Sequence, residues 1–152
     1  MRLVLQRVAR ASVTVAGERV GAIGRGLLVL AGVERGDGAA EVAAAADKIA
    51  HLRVFEDGAG KLNLDVAQAG GSVLLVSQFT LAASTDRGRR PSFERSAPPD
   101  EARAQLDRLA DELRRGGLTV ETGRFAARME VDLVNDGPVT LVLDVHHGAA
   151  PA

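Results

Sequence analysis

Two uninterrupted apolar stretches, Leu27-Leu28-Val29-Leu30-Ala31-Gly32-Val33 and the run inside Ser72–Phe79, constrain the fold of this chain more than anything else in it. A run this short and this free of polar alternation reads as a strand covered on both faces. A layer of structure must therefore lie on each side of that pair. The rest of the chain supplies both layers. Val13-Thr14-Val15 and Arg19 to Ile23 alternate around Ala16-Gly17-Glu18 and predict a hairpin, with Leu3 to Val8 pairing beside it. From Ala39 to about Leu52 the period becomes helical, with Val42, Ala45, Ile49 and Leu52 on one stripe. Phe55 to Leu64 returns to turn and strand chemistry around Asp57-Gly58-Ala59-Gly60. A second helix opens at Pro98-Pro99-Asp100-Glu101, buries Ala102, Leu106, Leu109 and Leu113, and closes at Gly116-Gly117. Val120, Met129 to Val134 and Val139 to Val145 supply the last strands. The expectation is a single α/β domain over residues 1–146, a three-layer β/β/α arrangement with mostly antiparallel sheets and two main helices, followed by a frayed tail over 147–152.

Composition excludes more than it identifies. The chain has 152 residues, enough for one domain with a proper core. Trp and Tyr are absent, so nucleic acid cannot be held mainly by stacking on such platforms. Cys is absent, which removes disulfides, thiolate catalysis and cysteine zinc sites together. The three histidines, His51, His146 and His147, show no metal-ligand spacing, so neither a metal nor a cofactor is expected. Net charge is −1, which excludes a general nucleic-acid coat and leaves room only for local arginine contacts. Met1 to Leu5 turns polar at Gln6 and Arg7, too soon for the apolar core of an export signal, and no run is long enough to span a bilayer. A cytoplasmic protein is the expectation.

Two short stretches are candidates for chemistry: Ser77-Gln78-Phe79-Thr80-Leu81, and Asn135-Asp136-Gly137-Pro138-Val139-Thr140. In a continuous strand Ser77 and Phe79 would share one face, and Gln78 and Thr80 the other. A serine nucleophile needs a base within reach, no histidine has an evident acidic orienter, and there is no Gly-x-Ser-x-Gly elbow. The plain alternative is that Ser77 and Thr80 satisfy backbone at a strand end. Asn-Asp-Gly between period-two segments predicts a hairpin tip, with Pro138 tolerated at an edge. The functional alternative is a cis Gly137-Pro138 peptide presenting bare carbonyls to a ligand's ammonium group. The polar loop 82–97 carries Arg87, Arg89, Arg90 and Arg95, placed either to meet phosphates or simply to be solvated.

Together these motifs resemble the D-aminoacyl-tRNA deacylase family, and the likeness extends over nearly the whole chain. Gln6-Arg7-Val8, Ala11-Ser12-Val13, Gly70-Gly71-Ser72, Arg90-Pro91-Ser92-Phe93 and Thr122-Gly123-Arg124-Phe125 match the same pattern. The resemblance implies a cytoplasmic homodimer that hydrolyses the ester between a D-amino acid and the 3′-terminal ribose of tRNA, with no membrane or DNA partner. Ser77, Gln78, Phe79 and Thr80 of one subunit would form the floor of the site. Gly137 and Pro138 of the other would reach across as a cis pair and reject L substrates by collision. Glycine has no Cβ to collide, so glycyl-tRNA, notably glycine misloaded on alanine tRNA, is an implied second substrate. Catalysis would rest on the substrate's own 2′-hydroxyl and on backbone donors including Phe79 N–H, with Gln78 and Thr80 binding the reacting end. Arg7 and Asn135 would support the Gly137-Pro138 loop, and Arg89 and Arg90 would meet acceptor-stem phosphates. Competing readings are a serine esterase using Ser77 and a non-catalytic module that binds tRNA ends.

Overall fold

One long strand organises the molecule, a computed structural model of which describes residues 1–146. Strand β1 (Arg2–Val15) pairs antiparallel with β2 (Glu18–Ile23) through its second half and with β3 (Gly26–Gly32) through its first. Its inward side chains change layer partway: Leu3 and Leu5 join the core beneath the helices, whereas Val8, Ala11 and Val13 join a separate β–β core. The period of two breaks between Leu5 and Val8, and with that break the two halves of β1 serve different cores.

Helix α1 (Ala39–His51) follows, and Glu41 accepts the Gly38 N–H at 2.8 Å at its start. Strands β4 (Phe55–Glu56) and β5 (Leu62–Leu64) form a small separate hairpin, and β6 (Ser72–Ser77) then runs parallel to β3. Helix α2 (Pro99–Arg115) leads to β7 (Val120–Thr122), parallel to β6. Strand β8 (Glu130–Asp144) returns antiparallel along the free edge of β1.

The two apolar runs behave as their sequence requires. Leu27, Val29, Ala31, Val73 and Leu75 face the helices, while Leu28, Leu74 and Val76 face the second β layer. The order is helices, central sheet, second β layer, in one mostly antiparallel sheet that bends rather than two that part. Gly21 permits a close backbone approach of β2 to β7, since a Cβ there would lie 2.4 Å from the Thr122 carbonyl oxygen. Among the described residues no helix is long and apolar enough to cross a membrane. The expected tail, 147–152, lies outside the described residues.

Two sequence expectations need correction. The strand drawn to Phe79 ends at Ser77, and Phe79–Ala82 is a 3-10 turn, so the expected sharing of faces by Ser77 with Phe79 and by Gln78 with Thr80 does not hold. Nor do the segments around Asn-Asp-Gly form a hairpin. Both pair with β1, Thr140 opposite Gln6 and Asn135 opposite Val8, so four residues of β8 stand opposite Arg7 alone. The Asn-Asp-Gly signal marks a wide bulge. Proline has no N–H for the ladder, and the bulge keeps it out of register.

Candidate active site

At the top of β6 the Gln78 N–H still donates to the Ala31 carbonyl at 2.8 Å, after which the chain curls. Turn bonds begin with Leu81 N–H to Gln78 O at 3.2 Å, so the N–H groups of Phe79 and Thr80 precede the first of them. Donors at such a start have no partner within the turn. Gln78 Nε2 donates to Thr80 Oγ1, so two side chains expected on a common strand face meet across the turn instead. Ser96 Oγ donates to the Phe79 carbonyl at 3.3 Å and ties the turn to the arginine loop.

Gly32 lies beneath this turn, and the sequence offered no sign of its importance. A Cβ there would sit 2.8 Å from the Gln78 oxygen and 3.0 Å from Leu81 Cβ. Glycine is needed for space at this position.

Beside Ser77, Gln78 and Phe79 opens an apolar cavity of about 580 Å³. Its walls are Ala31 and Val33 of the sheet region, Ala102 and Leu106 of α2, and Phe93 and Phe125. Ala102 and Leu106 read as helix core in the sequence, and they do pack, but they also line this opening. Phe79 and Phe93 stand at 5.0 Å between ring centroids and are 57% and 38% exposed, an unusual exposure for large aromatics. The volume lies in the usual range for small-ligand sites.

Among the described residues no histidine lines this cavity. His51 does have an acidic neighbour, Asp47 at 3.0 Å, which corrects the expectation that none had one. That pair spans one turn of the exposed side of α1 and takes no part in the cavity. His146 lines a separate groove with Glu34 and Arg95, and His147 lies outside the described residues. Among the described residues no three His, Asp or Glu side chains gather as a metal site.

The arginine loop is more constrained than a solvated tether. Two backbone bonds of 2.8 Å between Ser84 and Ser92 close its tip. Arg95 is committed to Glu34 at 2.6 Å, while Arg87, Arg89 and Arg90 are exposed at the tip.

The second motif is built by two side chains. Arg7 is 6% exposed, and it donates from Nε to the Asp136 carbonyl and from Nη1 to the Val54 carbonyl, both at 2.8 Å. Asp136 and Glu56 carboxylates stand farther off, at 3.8 and 3.9 Å. Asn135 replaces the missing ladder: Oδ1 accepts Val139 N–H at 2.9 Å, and Nδ2 donates to Val139 O at 3.2 Å and Thr140 Oγ1 at 3.0 Å. The Gly137-Pro138 peptide at the crest is cis. Gly137 has φ +151°, and a Cβ there would lie 2.6 Å from Val139 N. Glycine is required here by both conformation and space.

Within one chain the two motifs stay apart. Gly137-Pro138 flanks Arg7, Arg7 faces Leu27, and Leu27 faces Val73, four residues before Ser77. Three strand spacings across and four residues along separate them by roughly 20 Å.

The comparisons with known proteins agree with each other. A family model described as D-Tyr-tRNA(Tyr) deacylase matches residues 4–144. A D-aminoacyl-tRNA deacylase of Heliobacterium modesticaldum is 55% identical over 148 residues, covering 97% of this chain and 99% of its own. One from Anaeromyxobacter dehalogenans is 58% identical over 144 residues, covering 95% and 97%. Among solved structures, one described as a c-Myc DNA unwinding element binding protein superposes with a TM-score of 0.90 at 40% identity, covering all of both chains. Another, described as a probable eukaryotic D-amino acid tRNA deacylase, reaches a TM-score of 0.80 at 19% identity over 95% of this chain and 98% of its own, and supports the fold alone. With a match spanning nearly its whole length and relatives above half identity, this chain belongs to the D-Tyr-tRNA(Tyr) deacylase family.

Proposed function

We propose that the protein is an editing hydrolase that removes D-amino acids from tRNA in the cytoplasm, working as a homodimer with each active site shared between subunits. The observation that carries this reading is the separation just described. Arg7 and Asn135 hold a bare Gly137-Pro138 crest outward on an edge strand, about 20 Å from the chain's own Ser77 by strand spacing. A crest built this firmly and left without a site of its own fits the site of a second copy. Val131, Val134 and Val142 are exposed on the same strand, with Val142 at 60%, and offer apolar area for that contact.

In this reading the terminal adenosine enters the apolar cavity and brings the ester carbonyl to the Ser77–Thr80 turn. The N–H of Phe79 faces the oxygen on which charge develops, and Gln78 with Thr80 fixes the reacting end. The 2′-hydroxyl of the ribose orients the attacking water. Water oxygen bonds to the carbonyl carbon, the bond to O3′ breaks, and O3′ takes the proton. Free amino acid and tRNA leave. Ser77 is a wall and polar contact, not a nucleophile. Gly137 and Pro138 of the partner subunit receive the α-ammonium on their carbonyls and leave no room for an L side chain. Glycyl-tRNA, including glycine misloaded on alanine tRNA, passes the same test. Arg89 and Arg90 meet phosphates of the acceptor stem.

A deacylation time course on D-Tyr-tRNA, L-Tyr-tRNA and glycyl-tRNA tests the proposal. Loss of the D and glycyl esters with the L ester spared is the expected result. Equal loss of D and L esters would favour an unselective serine esterase, and protection of all three would favour a tRNA-end binding module.

A further inference from the structure

The wall of the apolar cavity holds a single charged side chain among the described residues, Arg35. It follows β3, outside both sequence motifs and outside the arginine loop. Its backbone N–H donates to the Arg95 carbonyl at 2.9 Å, and its Nε donates to the Glu94 carbonyl at 2.7 Å. A guanidinium has five N–H donors, and these bonds use one of them. The four on Nη1 and Nη2 have no hydrogen bond or ion pair among the described residues.

The nearby acids do not neutralise it. Glu34 is taken by Arg95 at 2.6 Å and by the Met1 ammonium at 3.5 Å. Asp37 is taken by the same ammonium at 2.7 Å and by the Glu34 N–H at 2.7 Å. Glu94 gives Arg35 only its carbonyl. The result is a guanidinium anchored at its neck, its fork unpaired, on the boundary between the apolar cavity and the neighbouring groove of Glu34, Asp37, Glu94, Arg95 and His146.

We infer that Arg35 binds the phosphate joining the terminal adenosine of the substrate to the nucleotide before it. The inference rests on the functional reading above, because that reading puts the adenosine in this cavity. A nucleoside buried in the cavity must lead its 5′ side out over the rim, and a planar fork with parallel N–H groups suits phosphate oxygens. Anchoring at Nε lowers the freedom lost when the fork engages. Arg35 is then what distinguishes a nucleotide within a chain from a bare nucleoside ester. It is a binding residue for the substrate, remote from the reacting carbon.

The test compares three substrates: D-Tyr-tRNA, the 3′-D-tyrosyl ester of adenosine 5′-monophosphate, and the same ester of adenosine. Arg35→Ala is expected to raise KM about 5- to 10-fold for the two phosphate-bearing substrates at low salt, with kcat unchanged, and to leave the adenosine ester unaffected. Arg35→Lys should restore part of the loss. The slope of log(kcat/KM) against log salt for D-Tyr-tRNA should become shallower by about 0.7, the value for one phosphate of a single strand. As inhibitors, adenosine 5′-monophosphate should exceed adenosine for the parent protein and equal it for Arg35→Ala. An equal loss on all three substrates, or no loss on any, would overturn the assignment. Inertness of the parent protein toward every substrate would instead overturn the deacylase reading itself.

Discussion

Replacing Asn135 by Ala is the most direct probe of how the Gly137-Pro138 crest is held. The substitution deletes three hydrogen bonds, to Val139 N–H, Val139 O and Thr140 Oγ1. Each is worth about 1 kcal/mol net, and water reaches the exposed Thr140 end, so the loss should be roughly 2–3 kcal/mol. In a domain of this size that corresponds to a Tm lower by about 5–10 °C. The rest of β8 keeps its ladder to β1, so the fold should survive. The crest would no longer be fixed, and under the shared-site reading discrimination should fall more than turnover. We expect D-Tyr-tRNA hydrolysis to drop several-fold while hydrolysis of L-Tyr-tRNA becomes measurable. Asn135→Asp keeps the acceptor for Val139 N–H but loses both donors, and should fall between Asn and Ala. Thr140→Val removes one of the three Asn135 contacts and a longer, exposed one from Gln6 Nε2, and should shift Tm least. Thermal unfolding followed by paired D and L time courses reads all of this. A Tm within 1 °C of the parent together with an unchanged D/L ratio would refute the idea that Asn135 shapes the site.

Gly137→Ala meets Val139 N at 2.6 Å in a backbone region that L residues avoid, so Tm should fall by several degrees and the crest should move; D/L deacylation ratios and thermal unfolding check both effects. Gly32→Ala pushes on Gln78 O and Leu81 Cβ, and should lower kcat on D-Tyr-tRNA with little change in chiral preference, because it moves the floor of the site and not the crest. Ser77→Ala should retain much of its turnover, and abolished turnover with fold and binding intact would bring back a covalent route. The Asp57 carboxylate is held below the usual carboxylate range, first by the Lys61 N–H and then by the Ala59 N–H, with desolvation opposing them and the Asn63 side chain adding least. A depressed value in the folded state means that its support of the 57–63 turn is present above the unfolded value and lost as pH falls through the folded one. The amide resonances of Ala59 and Lys61 should therefore titrate with a midpoint below that of Asp in an unfolded peptide.

Local chemistry was enough for most of the architecture. Leu27 to Val33 and Val73 to Val76 are apolar without alternation because both faces are covered, and that alone called for three layers. Both helices announced themselves through their apolar stripes and, for α2, through Pro98-Pro99 and Gly116-Gly117, because these signals act within a few residues. The motifs at 77–81 and 135–140 were visible as unusual residues, and the family resemblance followed from them. Tertiary structure decided what those residues do to each other. Asn-Asp-Gly favours a reversal of the chain, but β1 is long enough to pair with both flanking segments, so the same residues became a bulge opposite Arg7. Only the family resemblance ties Arg7 to the Gly137-Pro138 loop; the carbonyls that it meets, of Asp136 and Val54, come from distant parts of the chain. Gly32 and Arg35 carried no signal, since the need for space under Gln78 and the neutralised acids around Arg35 come from contacts between residues far apart in sequence. Periodicity and capping are short-range forces and are written in order along the chain. Space, register and the company a charge keeps arise only when the sheet has closed.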